Sequence, residues 1–256
     1  MNWRRPRLAA RLALAILVGL QVLAVAPVPV GAADRGFRVD LAARGDFVAQ
    51  TNFVQCVGAS MQMMLNIIRP KDDRTARTQL RLQNIARTLS GPIREGFQRK
   101  GASVRGWAAG LNELAAGPYR LVGTATIDEA LRIAAASIRQ TNRPVGLLVW
   151  RGRHAWVMSG FEATADPLKT SDYNVTGAIV LDPLYPHGSS VWGRSPKPRQ
   201  ALTPKQLGRQ FVPRRQGSWP GGIGIGAATM SALAGKYVLV LPYETIATSR
   251  LLHAAR

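Results

Sequence analysis

Apolar residues recur at the three- and four-residue steps of helices in the first part of the chain, and in short continuous or alternating runs in the last part. Phe37, Val39 and Leu41 alternate as in a short entry strand. From Cys56 onward, Met61, Met64, Leu65 and Ile68 fall at helical spacing, and Arg69 followed by Pro70 closes that segment. A second helix is predicted over 73–89, with Leu82, Ile85 and Leu89 on one face and arginines on the other, stopped by Ser90, Gly91 and Pro92. A short helix over 93–99, a helix over 103–115 with Trp107, Leu111 and Leu114, and one over 127–140 with Ile127, Ala130, Leu131, Ala134 and Ile138 complete a helical half. Asp128 and Glu129 suit the first turn of the last of these.

After Pro144 the period changes. Residues 145–150 are a continuous apolar β-type run, 151–153 read as a turn, and 154–161 form a second strand. A polar loop over 162–174 precedes a third strand over 176–181, which Asp182 and Pro183 end, and a fourth strand spans 236–241 before Pro242. Helices first and a mostly antiparallel sheet second predict an α+β fold. Between the third and fourth strands lie 183–213, rich in Pro, Arg and Ser, and the glycine-rich 219–226. Gly222, Gly224 and Gly226 have no preceding strand and no helical crossover, which argues against a dinucleotide site; they suit either a loop hinged over a site or a plain surface loop. Trp192 and Trp219 suit a substrate groove or an anchor of that region to the core.

Composition changes the picture in two respects. The 256 residues can bury one substantial core, and their net charge of +20 implies attraction to an anionic cell wall or membrane surface. The arginines are scattered and not interleaved with aromatics, so no specific nucleic-acid partner is expected. The N-terminus is basic at Arg4, Arg5 and Arg7, then apolar over 12–26 apart from Gln21, with Val30 and Ala32 as small residues ahead of a cleavage point. Residues 1–33 are therefore expected to be a cleaved signal peptide or an uncleaved membrane anchor, and 34–256 one domain outside the cytoplasm, secreted or on the outer face of the membrane.

Export makes Cys56, the single cysteine, informative: it cannot form an intrachain disulfide, so it is a buried small hydrophobe or a working thiol. It stands where a polar loop gives way to a helix, among unpaired backbone N–H groups at the positive end of the dipole, surroundings that favour thiolate. A thiol nucleophile needs a base and a third group to hold that base. His253 lies in the C-terminal tail and His187 in a loop that suits a solvated turn, which leaves His154, at the start of a strand directly after a turn. Asp182 ends the strand expected to pair beside that of His154. The Cys56 N–H supplies one oxyanion donor, and the Gln50 side-chain amide is the candidate for a second.

Gln50, Cys56 six residues later, Ala59 and Ser60, a hydrophobic helix, then His154, Ala155 and Val157 on a strand and a strand ending in Asp182 and Pro183 together resemble the papain-like cysteine peptidases, and among them the bacterial peptidases related to those that process double-glycine bacteriocin leaders. The resemblance covers 50–183. It implies a Cys helix packed on an antiparallel sheet, with Gln50 as the oxyanion glutamine, Cys56 as nucleophile, His154 as base and Asp182 as its orienting partner. It also implies hydrolysis of a peptide or protein substrate with no cofactor and no metal, and the three dispersed histidines offer no metal-ligand spacing. Two other functions use the same residues: a non-catalytic domain that binds peptide or wall material, and an amidase or transpeptidase acting on the cell wall.

Overall fold

The structure is a computed structural model that describes residues 36–69, 71–91, 100–215 and 232–244. The chain divides into two units, Met1–Asp34 and Arg35–Arg256; the first, with the expected signal or anchor, lies outside the described residues. So do the expected helix over 93–99, Trp219, the glycines of 222–226 and His253. No helix among the described residues is long and apolar enough to cross a membrane.

The second unit is α+β. Its described elements are β1 (Phe37–Asp40), α1 (Cys56–Ile68), α2 (Ala76–Thr88), α3 (Val104–Glu113), β2 (Tyr119–Thr124), α4 (Ile127–Thr141), β3 (Val145–Val149), β4 (His154–Ala163), β5 (Val175–Leu181), β6 (Gly188–Ser189), β7 (Gly193–Arg194), β8 (Gln200–Leu202), α5 (Pro204–Leu207) and β9 (Tyr237–Pro242). The main sheet has seven strands in the order β2-β9-β3-β4-β5-β8, with β1 also on β4, and every pairing is antiparallel. The last strand in sequence is thus an interior strand, between β2 and β3. Both faces of the sheet are covered, which is why β3, β4, β5 and β9 read as continuous apolar runs instead of alternating ones.

Side chains alternate between two cores. Ala155 and Val157 of β4, Leu148 of β3, and Val238 and Val240 of β9 pack with α1, α2 and α3. Trp156 and Met158 of β4, Leu147 and Val149 of β3, and Leu239 and Leu241 of β9 pack with α4 on the other face. The α4 helix therefore does not belong with the other three. Its amphipathic pattern is as expected, but the face of the sheet it covers is the opposite one.

Three further departures concern elements whose pairing local pattern does not show. β2 is an edge strand paired only with β9, β8 is three residues added to the edge at β5, and β6 and β7 form a separate two-stranded pair. In α2 the buried stripe is Gln79, Leu82, Gln83 and Ala86, not the expected Leu82, Ile85 and Leu89. The two glutamines are buried because the chain leading to Cys56 crosses over them.

α1 is buried almost all round, with Met61, Met63 and Met64 inaccessible to solvent. It runs between the sheet and α2, and its approach to α2 requires Gly58. A Cβ at that position would stand 2.7 Å from the Gln79 carbonyl oxygen and 2.9 Å from Gln83 Cβ. Gly58→Ala is expected to destabilise the fold by about 1–3 kcal/mol, because overpacking against a backbone carbonyl outweighs the gain in helix propensity of about 1 kcal/mol. Urea unfolding of the variant beside wild type measures this, and an unchanged midpoint would show that α1 can shift freely.

Candidate active site

The chain over 49–55 is held from below by side chains of α2. Gln79 accepts the Thr51 N–H at 2.8 Å and donates to the Ala49 carbonyl at 3.0 Å. Gln83 donates to the Val54 carbonyl at 2.9 Å and accepts the Gly58 N–H at 2.9 Å. Two buried amides thus fix both ends of the turn that starts α1. With Gly58 satisfied, the N–H groups of Cys56 and Val57 remain without a hydrogen-bond partner among the described residues, at the positive end of the helix dipole.

One turn further, Ser60 Oγ donates to the Ala155 carbonyl at 3.2 Å. Ser60 shares the helix face of Cys56, and Ala155 follows His154, so this bond sets the thiol helix against the start of β4. The imidazole lies within hydrogen-bonding reach of the Cys56 thiol. Its Nε2 is 2.7 Å from Asp182 Oδ1, leaving Nδ1 as the ring nitrogen for sulfur. The register of β4 on β5, with Val157 opposite Leu181, brings His154 and the residue just past β5 to the same end of the sheet.

Asp182 is fully buried; its Oδ1 also accepts the Leu184 N–H at 2.8 Å, and its Oδ2 has no hydrogen-bond partner among the described residues. His154 is 4% exposed. Burial opposes its charged form, but hydrogen bonds to Asp182 and Cys56 and the charges of both raise its pKa to about 9. Below that value the ring is an imidazolium between a carboxylate and a sulfur.

The turn before His154 is conformationally unusual. Trp150, Arg151 and Gly152 have φ of 56°, 57° and 94°, three successive residues in the left-handed region. Hydrogen bonds hold them there: Trp150 N–H and Nε1–H both donate to Gln210, to its carbonyl and side-chain oxygens at 2.9 Å each, and Arg215 N–H donates to the Arg151 carbonyl at 3.1 Å. The outcome is that the Trp150 ring stacks on the imidazole, with centroids 4.2 Å apart and planes at 26°. It fixes the ring from the side that Asp182 and Cys56 leave open.

The four residues singled out in sequence thus divide. Cys56, His154 and Asp182 come together, and Cys56 and His154 line one cleft of about 340 Å³ with Val57, Ser103, Val104 and Leu148 among others. Gln50 is the exception. Its backbone N–H bonds the Pro183 carbonyl at 2.7 Å, beside Asp182, but its side-chain Nε2 donates to Asn52 O at 2.8 Å within its own loop, and it does not line the cleft. The cause is the Asn52 turn, in which Asn52 Oδ1 accepts the Val54 N–H at 3.0 Å and directs the Asn52 carbonyl back toward Gln50. His187 is exposed and serves its turn through the backbone, as expected of a solvated loop residue, and Trp192 is half-buried in the β6–β7 hairpin, away from the cleft.

Trp150, Gln79, Gln83 and Gln210 went unread in the sequence as supports of the site. A signal existed for two of them: Gln79, Leu82, Gln83 and Ala86 keep helical spacing, so glutamines on a buried stripe call for buried polar partners. Nothing local links Gln210 to Trp150. Comparison of the chain with known protein families, with curated proteins and with solved structures finds no match.

Proposed function

We propose that this protein is an exported cysteine peptidase of the papain-like type, hydrolysing peptide bonds outside the cytoplasm. The observation that carries the reading is that His154 shares a cleft with Cys56 while its imidazole is buried, stacked on Trp150, and bonded at 2.7 Å to a carboxylate that solvent does not reach. A histidine with a purely structural role has no need of a thiol at the free helix start on its other side.

In this reading the sulfur attacks the substrate carbonyl carbon, and the C=O pair moves onto oxygen. The N–H groups of Cys56 and Val57 face that oxyanion, since neither is otherwise engaged. Gln50 joins them only by swinging its amide away from Asn52 O. The imidazolium then gives its proton to the leaving amine as the carbon–nitrogen bond breaks. Water, deprotonated by the neutral ring, cleaves the thioester and releases the acid. Asp182 holds the ring throughout and stabilises its charged form. The basic, then apolar, N-terminus supports export.

A neutral thiol-directed peptidase inhibitor and a peptide library, applied to wild type and to Cys56→Ala, test this. Expected are a covalent adduct on Cys56 and peptide cleavage that the substitution abolishes. Alkylation no faster than that of free cysteine, with no peptide cut, would overturn the reading.

A further inference from the structure

Charge is unevenly spread around the cleft. The residues 183–243 contain no Asp or Glu and eight Lys or Arg. Part of this acid-free stretch is folded against the His154 turn by the backbone: Arg215 N–H bonds the Arg151 carbonyl at 3.1 Å, and Arg214 N–H bonds the Lys236 carbonyl at 2.8 Å. Arg153 from the turn, Arg214 from this stretch and Lys100 from the start of the α3 segment all line the cleft, and among the described residues no Asp or Glu does so.

Elsewhere cations meet acids, as Arg139 meets Asp166 and Arg199 meets Asp40. Among the described residues, Lys100, Arg151, Arg153 and Arg215 are exposed and stand in no ion pair. Asp182, the carboxylate at the site among the described residues, is fully buried and bonded to His154. Among the described residues, Lys100 and Arg153 thus bring positive charge outside any ion pair to the cleft that holds the thiol.

We propose that the substrate is an acidic peptide, carrying Asp or Glu beside the bond that is cut, which Lys100 and Arg153 recognise across the cleft; this deepens the peptidase reading and rests on it. Opposite charges about 8 Å apart in a partly desolvated cleft interact strongly enough to change a rate about tenfold. Both side chains are exposed and the backbone bonds of Arg153, to the carbonyls of Val149 and Trp150, do not involve its guanidinium, so neutral replacements leave the turn intact.

The test compares two peptides that differ only by Glu or Gln beside the scissile bond, on wild type and on the Lys100→Gln, Arg153→Gln double variant. Wild type is expected to cut the Glu peptide about tenfold better in kcat/KM, with the preference reduced to about twofold in the double variant and in wild type at roughly 1 M salt, where the screening length is about 3 Å. Equal rates on the two peptides, or a preference that neither the substitutions nor salt reduces, overturn the proposal while the peptidase reading stands. If neither peptide is cut, the cleft's selectivity is read from alkylation of Cys56 by anionic iodoacetate against neutral iodoacetamide, and the peptidase reading stands or falls on the library and alkylation test above. The ratio of the two rates, relative to free cysteine, is expected to fall severalfold in the double variant, where His154 is unchanged. A ratio that stays constant there and in salt overturns the proposal. The salt series on wild type keeps the result decisive even if the double variant folds poorly.

Discussion

His154→Gln is expected to lower kcat/KM on any cleaved peptide by about a thousandfold or more, the scale of a lost acid–base group that acts in both halves of the reaction. It is also expected to slow iodoacetamide alkylation of Cys56 at pH 7 by at least about tenfold, because the imidazolium beside the sulfur is gone. Gln is the informative replacement. Its amide can still donate to the buried Asp182, whereas His154→Ala leaves that carboxylate without its 2.7 Å partner and costs about 3–5 kcal/mol of stability on top of the chemistry. Wild-type alkylation with lost peptide cleavage in a folded His154→Gln protein would mean that the ring does not act on the sulfur. Wild-type turnover would dismiss His154 as the base.

The parts of this site legible in the sequence are those with a local cause. The thiol at a helix start, a histidine after a turn and an Asp-Pro strand end each follow from a few adjacent residues, and the apolar runs of β3, β4, β5 and β9 follow from burial on both faces. What local pattern does not contain is which distant elements meet. β9 inserts between β2 and β3, α4 covers the face opposite α1, and Gln210 reaches back to Trp150. Gln50 shows the complementary limit. Its distance from Cys56 in sequence fits an oxyanion donor, but the amide direction is decided by the Asn52 turn two residues on.

The imidazole and the thiol are supported from different elements. Gln79 and Gln83 fix the helix start from α2, while Asp182 and Trp150 fix the ring from β5 and the β3–β4 turn. The Ser60 bond to Ala155 is a direct link between them. Substitutions in the first group therefore displace sulfur relative to an unmoved ring, and those in the second change the ring's charge state without moving the helix.

Asp182→Asn acts in the second way, and its effect is read best in stability against pH. The His154 pKa is raised from 6.5 to about 9 in the folded protein. A group raised on folding stabilises the native state fully below its unfolded value and loses that contribution as pH rises through its folded value. Wild type is therefore expected to lose stability between about pH 6.5 and pH 9, by about 3 kcal/mol, the free energy of a shift of that size. Asp182 raises the ring both by its hydrogen bond and by its charge, so in Asp182→Asn the His154 pKa falls and the pH-dependent loss shrinks and moves to lower pH. The variant is also less stable at pH 6 by about 1.5–3 kcal/mol, the range for a hydrogen bond to a charged group. Urea unfolding from pH 6 to pH 10 on wild type, Asp182→Asn and His154→Gln separates this contribution from other titrations, because His154→Gln removes it entirely. Parallel curves for the three proteins would mean that the Asp182 bond does not hold a charged ring, and the proton needed by the leaving amine would have to come from another group.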